Sequence, residues 1–159
     1  MANIIYMTIN GKRQGLISAG CSTFNSIGNR YQIGHEDEIF TLAVRHTITR
    51  DQNVKHNPVE IIKLVDKSSP LLGVSISENE IQECIIDFYR SSAEGVLKKY
   101  YTIKLNGASI ANISVDYPHS LTHSDKQPHE VVLFYYKDII WTNHATGTSG
   151  YSIWEDRIY

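Results

Sequence analysis

The sequence predicts an all-β domain with one short helix, and three observations support that fold class. Apolar and polar residues alternate along most of the chain, which is the period of a half-buried strand. Only one segment has the chemistry of a helix start, and loops rich in Gly, Asn and Pro separate about seven or eight possible strands. That number of strands suits an antiparallel sandwich or barrel.

The clearest alternating segment is residues 38–49. Its pattern predicts one long strand with a buried face and an exposed face. The residues expected on the buried face are Phe40, Leu42, Val44 and Ile48, and those expected on the exposed face are Thr41, Arg45, Thr47 and Thr49. Shorter strands are predicted at Ile4–Asn10, Val59–Val65 and Ile81–Tyr89.

The second half of the chain contains three more strand-like runs. Residues 100–105 alternate with Tyr101, Ile103 and Leu105 inward, and residues 111–117 continue the pattern. Asn106-Gly107 lies between these runs and has the chemistry of a tight hairpin turn. Residues 131–141 are apolar at both parities, so they predict a strand that is covered on both faces.

The helix is predicted to start near residue 69. Ser69 can cap it, and Pro70 suits the first helical position because the missing N–H would be unpaired there. Leu72 and Ile76 are four residues apart and would share one face, which would cover one end or side of the β-structure. Polar loops are expected at residues 18–37, 50–58 and 118–128.

Composition excludes several function classes. The chain has 159 residues, the usual size of one domain, and 15 basic against 17 acidic groups give a net charge of −2. This balance argues against nucleic-acid binding through bulk positive charge. Apolar runs are too short for a membrane-spanning helix, and the first residues lack the features of a signal peptide. Cys21 and Cys84 lack metal or redox spacing, so we expect free thiols in a protein made in the cytoplasm.

The residues show no catalytic or metal-binding constellation, and we expect no cofactor. His119 and His123 are four residues apart, but the Pro and Ser around them favour a solvated loop over a metal-binding helix. Residues 147–151 depart from a nucleophile elbow because Tyr151 replaces its second Gly, so a flexible connector is expected. The aromatic residues near the end, including Tyr151 and Trp154, indicate that this end is docked, either on its own domain or on a neighbour.

Four sequence segments are similar to the haemolysin-coregulated protein (Hcp) family, the tube proteins of bacterial type VI secretion systems. They are NIIYMTINGKRQGLISAGCS at residues 3–22, GHEDEIF at 34–40, VDKSSPLLG at 65–73 and GTSGYSIWEDRIY at 147–159. The resemblance covers essentially the whole chain and is greatest to the enterobacterial branch. It implies a single tube domain over residues 1–159, folded as a compact two-sheet β-barrel of the Hcp and phage tail-tube type.

The resemblance also implies a non-enzymatic role in secretion. Family members form hexameric rings that stack into a tube, which a contractile sheath propels with a VgrG-type spike at its tip. Some carry small effectors in the lumen, and the protein leaves the cytoplasm for the outside or for a target cell. We therefore expect no nucleic-acid partner and no insertion into a membrane.

Specific residues inherit expectations from this resemblance. The 50–58 loop corresponds to a family loop that reaches adjacent subunits and the next ring, so ring-stacking contacts are expected from Asp51, Gln52, Asn53 and Lys55. Tyr151 and Trp154 correspond to the terminal segment that docks beside the barrel. Asn106-Gly107 is expected to form a bend or bulge in a long strand, contrary to its local hairpin chemistry. The alternative function is a monomeric, lectin-like β-sandwich; a hydrolase using Ser149 is remote.

Overall fold

The computed structural model describes residues 3–154, which form eleven strands, two α-helices and one 3₁₀ turn. The strands are β1 (Ile4–Gly11), β2 (Gly15–Leu16), β3 (Ile39–Arg45), β4 (Ile48–Asp51), β5 (Asn53–His56), β6 (Val59–Leu64), β7 (Gln82–Ser91), β8 (Leu97–Asp116), β9 (His129–Tyr135), β10 (Asp138–Asn143) and β11 (Thr148–Ile153). The helices are α1 (Phe24–Ile27) and α2 (Ser69–Glu78), and the 3₁₀ turn is Gly28–Arg30.

Six of the strands close into an antiparallel barrel. The pairing runs β8-β7-β1-β3-β6-β9 and returns to β8, because β8 is 20 residues long and uses its two halves differently. Residues 97–108 pair with β7, whereas residues 109–116 pair with β9. Strands β10 and β11 extend the sheet outward from the first half of β8. The predicted all-β barrel is therefore confirmed, with more strands than expected and a second, four-residue helix.

The barrel interior is filled by alternating apolar side chains from every strand of the closed circuit. Fully buried examples from five different strands are Met7, Ile39, Ile61, Ile86 and Phe134. The predicted helix is confirmed as α2, which packs Leu72 against this core while Ile76 on the same predicted face is exposed. Its N-cap is Ser68, one residue before the predicted cap.

The predicted inward and outward faces of residues 38–49 are wrong at Thr41 and Leu42 but hold after them, where Val44 packs against the core and Arg45, Thr47 and Thr49 are exposed. Thr41 is only 3% exposed, whereas Leu42, expected inside, is 38% exposed. A bulge on β3 explains the difference, because Thr41 pairs with Lys63 but Ala43 pairs with Ile62, which leaves Leu42 as an extra residue. One extra residue reverses the side-chain alternation that follows it. The segment is also two strands, since β3 ends at Arg45 and β4 starts at Ile48.

The structure contains no hairpin at Asn106-Gly107, because β8 runs through both residues. Cys84 pairs with Leu105 and Gln82 pairs with Ala108, so the two residues form a bulge, as the family resemblance indicates. Gly107 has a φ of +58°, and an added Cβ would lie 2.9 Å from the Cβ of Lys137. Both facts favour Gly at this position.

Three further predictions for the second half need correction. Residues 131–141 are not one strand, because β9 ends at Tyr135 and β10 starts at Asp138. The inward pattern predicted for residues 111–117 fails at its end, where Val115 and Tyr117 are exposed. The connector predicted at residues 147–151 is largely strand β11.

A buried carboxylate fixes the turn between β1 and β2. Glu80, just after α2, accepts hydrogen bonds of 2.8 Å from the backbone N–H groups of Arg13 and Gln14. The Gln14 side chain also donates to it at 2.7 Å. Gly11 must be small here, since an added Cβ would lie 2.3 Å from a Glu80 carboxylate oxygen. Among residues 3–154, no helix is both long and apolar enough to cross a membrane.

Candidate functional site: a projecting hairpin and its anchor

Strands β4 and β5 form a two-stranded ribbon that pairs with no strand of the barrel sheet. The sequence predicted only an irregular polar connector here. The ribbon register places Asp51 opposite Asn53, so Gln52 alone makes the turn, with a φ of +65°. All four residues predicted to stack rings lie on this ribbon and are exposed, namely Asp51, Gln52, Asn53 and Lys55. Their role in stacking stays a prediction.

The base of the ribbon is held by a group of polar and aromatic side chains, which we call the histidine–tyrosine anchor (His46, His56, Tyr136, Ser152 and Trp154). His46 Nε2 lies 2.9 Å from the Tyr136 hydroxyl and 3.2 Å from the Asn57 carbonyl oxygen. His56 Nδ1 lies 2.7 Å from the same hydroxyl, and its Nε2 lies 2.9 Å from Ser152 Oγ. The anchor therefore ties both ends of the ribbon to the end of β9 and to β11.

The partners fix where each proton lies. The Asn57 carbonyl only accepts, so His46 carries its proton on Nε2 and donates from there. The Tyr136 hydroxyl then accepts from His46 and donates to His56 Nδ1, which must be unprotonated. His56 in turn donates from Nε2 to Ser152. Protonation of His56 Nδ1 would remove the acceptor for the Tyr136 proton, so the relay requires a neutral His56.

Burial favours the neutral imidazoles. Desolvation lowers the pKa of His46 most strongly, the Asn57 carbonyl partly offsets this effect, and the nearby His56 lowers it further. Desolvation likewise lowers the pKa of His56 below its ordinary value, although a hydrogen bond from the imidazole to the Ile153 backbone opposes the shift. Burial also raises the pKa of the Tyr136 hydroxyl. The relay is thus in its neutral form at pH 7.

Trp154 covers the apolar side of the anchor. Its ring stacks on His56 with centroids 5.7 Å apart, and it meets the edge of Tyr136 at 4.7 Å. It packs against the barrel core, whereas Tyr151 on β11 is 59% exposed. The docking role predicted for this terminal segment, on its own domain or on a neighbour, stays a prediction, and residues 155–159 lie outside the described residues.

Sequence reasoning placed His46 on an apolar face but missed Tyr136, His56 and Ser152. The contacts join residues 80 and 96 positions apart, so no local spacing pattern could reveal them. A second missed group is a buried ion cluster at the start of α2. Lys63 is fully buried, with Nζ 2.6 Å from Glu130 and 3.0 Å from Asp66.

The ion cluster had a sequence signal. Lys63 shares the parity of Val59 and Ile61, which are both buried on β6. A charged residue at an inward position of a strand needs partners of opposite charge. Lys63 also donates to the Leu64 carbonyl at 2.9 Å and lies 3.3 Å from Ser69 Oγ, so the cluster connects β6, β9 and the first turn of α2.

The groups considered for catalysis or metal binding remain apart. His119 and His123 lie in an exposed turn that is closed by a 2.8 Å backbone hydrogen bond between them. Ser149 is an exposed residue of β11 opposite Thr142. Within the described range, no group of three or more His, Cys, Asp or Glu side chains is arranged to hold a metal ion.

Comparisons with known proteins agree on one family. The family described as "Type VI secretion system effector, Hcp" matches residues 6–143. The "Major exported protein" of Pseudomonas aeruginosa is 40% identical over 177 residues, covering 99% of each chain. A "Crystal structure of Hcp protein" superposes with a TM-score of 0.91 at 34% identity, covering 97% of this chain and 99% of that one. "Secreted protein Hcp3 from Pseudomonas aeruginosa" gives 0.88 at 39% identity over the same shares.

Proposed function

The chain belongs to the Hcp family of type VI secretion proteins, and from this premise we propose that it builds the inner tube of such a system. Six copies close into a ring, and rings stack into a hollow tube. A contracting sheath propels the tube from the cell, with a VgrG-type spike at its tip. The observation that supports this function best is family membership over nearly the whole chain, joined to a barrel that carries a projecting polar hairpin.

Ring formation suits the surface of the subunit. A ring of identical copies uses two different complementary faces on each copy, which close after a fixed rotation. Among the described residues, strand β11 pairs only with β10, and its other edge would be covered by a neighbour. Several large apolar side chains are also exposed on the described surface, which favours burial against other copies. The most exposed are Phe24, Ile33, Tyr117 and Leu121.

Stacking in this proposal depends on Asp51, Gln52, Asn53 and Lys55, while Tyr151 and Trp154 form the docked terminal segment. A polar hairpin gives weak contacts individually, but six equivalent contacts between two rings act together. A small net charge suits this arrangement, since a large charge of one sign would oppose the packing of many copies.

The role is structural rather than catalytic, and residues 1–159 act as a single tube domain. The names of two relatives, "Major exported protein" and "Secreted protein Hcp3", support export of this chain. We infer that it is made in the cytoplasm and that the type VI system delivers it to the extracellular space or to a target cell. Small effectors held in the ring lumen are the proposed cargo.

Analytical ultracentrifugation and negative-stain imaging of the purified chain test this function. We expect particles with the mass of a hexamer and ring-shaped projections with an open centre. A species that stays monomeric at high protein concentration would contradict the proposal.

A further inference from the structure

The hairpin and a pair of clefts lie at opposite ends of the same two barrel strands. The β4–β5 ribbon connects the end of β3 to the start of β6, which begins at Val59. The clefts lie beyond the other end of β6, where Leu64 is followed by Val65, Asp66 and Lys67. Six residues of strand, about 17–20 Å at 3.3 Å per residue, separate the two features.

The two clefts adjoin each other, since Ser26 and Val65 line both. The larger has a volume of about 560 Å³ and lies between the residue 20–26 segment and the start of α2. The smaller has a volume of about 260 Å³ and continues toward Tyr117 and Pro128. We call the joined clefts the socket (lined by residues 20–30, 64–67, 117 and 127–128). The socket is open to solvent, and its volume gives room for the side chains at the tip of a two-stranded turn.

The socket presents unpaired positive charge. Lys67 extends across Gly20, because a Cβ added to Gly20 would lie 3.0 Å from Lys67 Nζ. Within residues 3–154, neither Lys67 nor Arg30 has a carboxylate within 4 Å, and Arg30 bonds only to the neutral Gln127 side chain. Asp66 is turned inward to Lys63, and Asp37 at the rim accepts the Gly20 N–H.

The hairpin tip has the complementary charge. Asp51 is exposed next to the Gln52 turn, and within the described residues it has no ion-pair partner. It is the charged residue nearest the tip, since Arg50 and Lys55 lie further back on the ribbon. An acidic tip therefore lies at one end of the subunit and a basic cleft lies at the other end.

We propose that the hairpin tip of one copy docks in the socket of a second copy, with Asp51 against Lys67. This inference rests on the tube function and names the surface that receives the stacking loop. Two different faces at opposite ends make a head-to-tail contact, which does not close on itself and so extends without limit. Rings joined in this way grow into a tube from subunits of one kind.

Disulfide trapping tests the contact directly. In the double variant Asp51→Cys with Lys67→Cys, the two cysteines of one copy are held apart by the length of β6, beyond the roughly 7 Å that a disulfide can span between Cα atoms. Linkage under oxidised glutathione is therefore between copies. The native Cys21 and Cys84 are fully buried, and burial raises both thiol pKa values, that of Cys21 to about 11, so neither should react.

We expect covalent ladders longer than six copies from this variant on non-reducing gels. The matched control is Asp51→Cys with Lys98→Cys, which moves the second cysteine to an exposed position on β8. Equal ladders from both variants, or no ladder from the first, would overturn the socket. The two single-cysteine variants should give no ladder.

Charge exchange gives an independent measurement. Asp51→Lys or Lys67→Asp alone should weaken end-to-end association of rings by about tenfold or more at low salt, since six contacts change at once. The combined variant should restore most of it. Rings that stack equally well in all these variants, or wild-type rings that do not associate at all, would overturn the socket but leave ring formation intact. A chain that never forms rings would instead contradict the tube function itself, and the socket with it.

Discussion

The hydroxyl of Tyr136 lies 2.7 Å from Nδ1 of His56, although the two residues are 80 positions apart. One belongs to the end of a barrel strand and the other to the base of the projecting hairpin. The same hydroxyl also meets His46 at the other side of that base. A single phenol oxygen thus fixes both ends of the hairpin to the barrel, and this explains how a ribbon without sheet partners keeps a defined direction.

Tyr136→Phe should loosen the hairpin without disturbing the barrel. The change leaves His56 Nδ1 without its donor in a buried position, and an unsatisfied buried polar group costs about 1–3 kcal/mol. Hydrogen exchange of the β4 and β5 amides should speed up, and the free energy of unfolding in urea should fall by that amount. Tyr135→Phe is the matched control, because Tyr135 is half-exposed and its hydroxyl has no hydrogen-bond partner among residues 3–154. Equal effects from both changes would contradict the role of Tyr136.

The alternation of apolar and polar residues predicted some strands correctly and failed at bulges. Alternation located β1, β6 and β7 because buried residues recur at every second position along most of each strand and no extra residue interrupts them. It failed at Leu42 and Asn106-Gly107, where one extra residue forms a bulge that leaves no distinct mark in a single sequence. At the second of these the family resemblance predicted the bulge and the local turn chemistry did not.

The candidate site also has a part that the sequence predicts and a part that it does not. The mostly polar segment 50–55 predicted an exposed loop, so the proposed stacking residues could be selected from the sequence. That this segment is a ribbon, and that Tyr136 and Ser152 hold its base, depends on contacts between distant strands that only the closed barrel brings together. Lys63 could have been found, because its parity on β6 is that of the core.

Acidification should loosen the hairpin, because the relay requires a neutral His56 and burial disfavours a charged His46. The folded-state pKa values of His46 and His56 lie below their unfolded values, near 6.5. At a pH between the folded and the unfolded pKa values, the unfolded chain therefore binds more protons than the folded chain. The contribution of the histidines to the free energy of unfolding is thus complete above about pH 6.5 and declines as the pH falls toward the folded pKa values. A protonated His56 Nδ1 can no longer accept the Tyr136 proton.

Urea denaturation from pH 7.5 to 5.0 measures this loss. The wild type should lose stability below pH 6.5, and His46→Gln with His56→Gln should flatten that part of the profile. His123→Gln, in the exposed turn, is the control and should keep the wild-type slope. A wild-type slope in the double variant would show that other groups cause the dependence.

Lys63→Met should be strongly destabilising. The side chain is fully buried, and its replacement leaves the carboxylates of Glu130 and Asp66 without the cation that pairs with both of them. Breaking a buried ion pair by removing one partner costs about 3–5 kcal/mol. Lys104→Met is the control, since its pair with Glu83 is solvent-exposed and such pairs contribute about 0–1 kcal/mol. Similar losses in urea midpoint for the two variants would argue that the buried cluster has no special role.

Gln52 should separate the stability of the hairpin from its use in stacking. Its φ of +65° lies in the left-handed region, which a residue other than Gly occupies at a cost of about 1 kcal/mol. Gln52→Gly should therefore slow hydrogen exchange of the hairpin amides, whereas Asn53→Gly, at a position without positive φ, should speed it up.

If the Gln52 amide contacts the next ring, Gln52→Gly should nevertheless weaken ring stacking, as measured by sedimentation. Gln52→Asn keeps an amide and tolerates this φ, so it should weaken stacking less. A glycine variant with a more rigid hairpin and unchanged stacking would show that the backbone of the turn, and not this side chain, makes the contact.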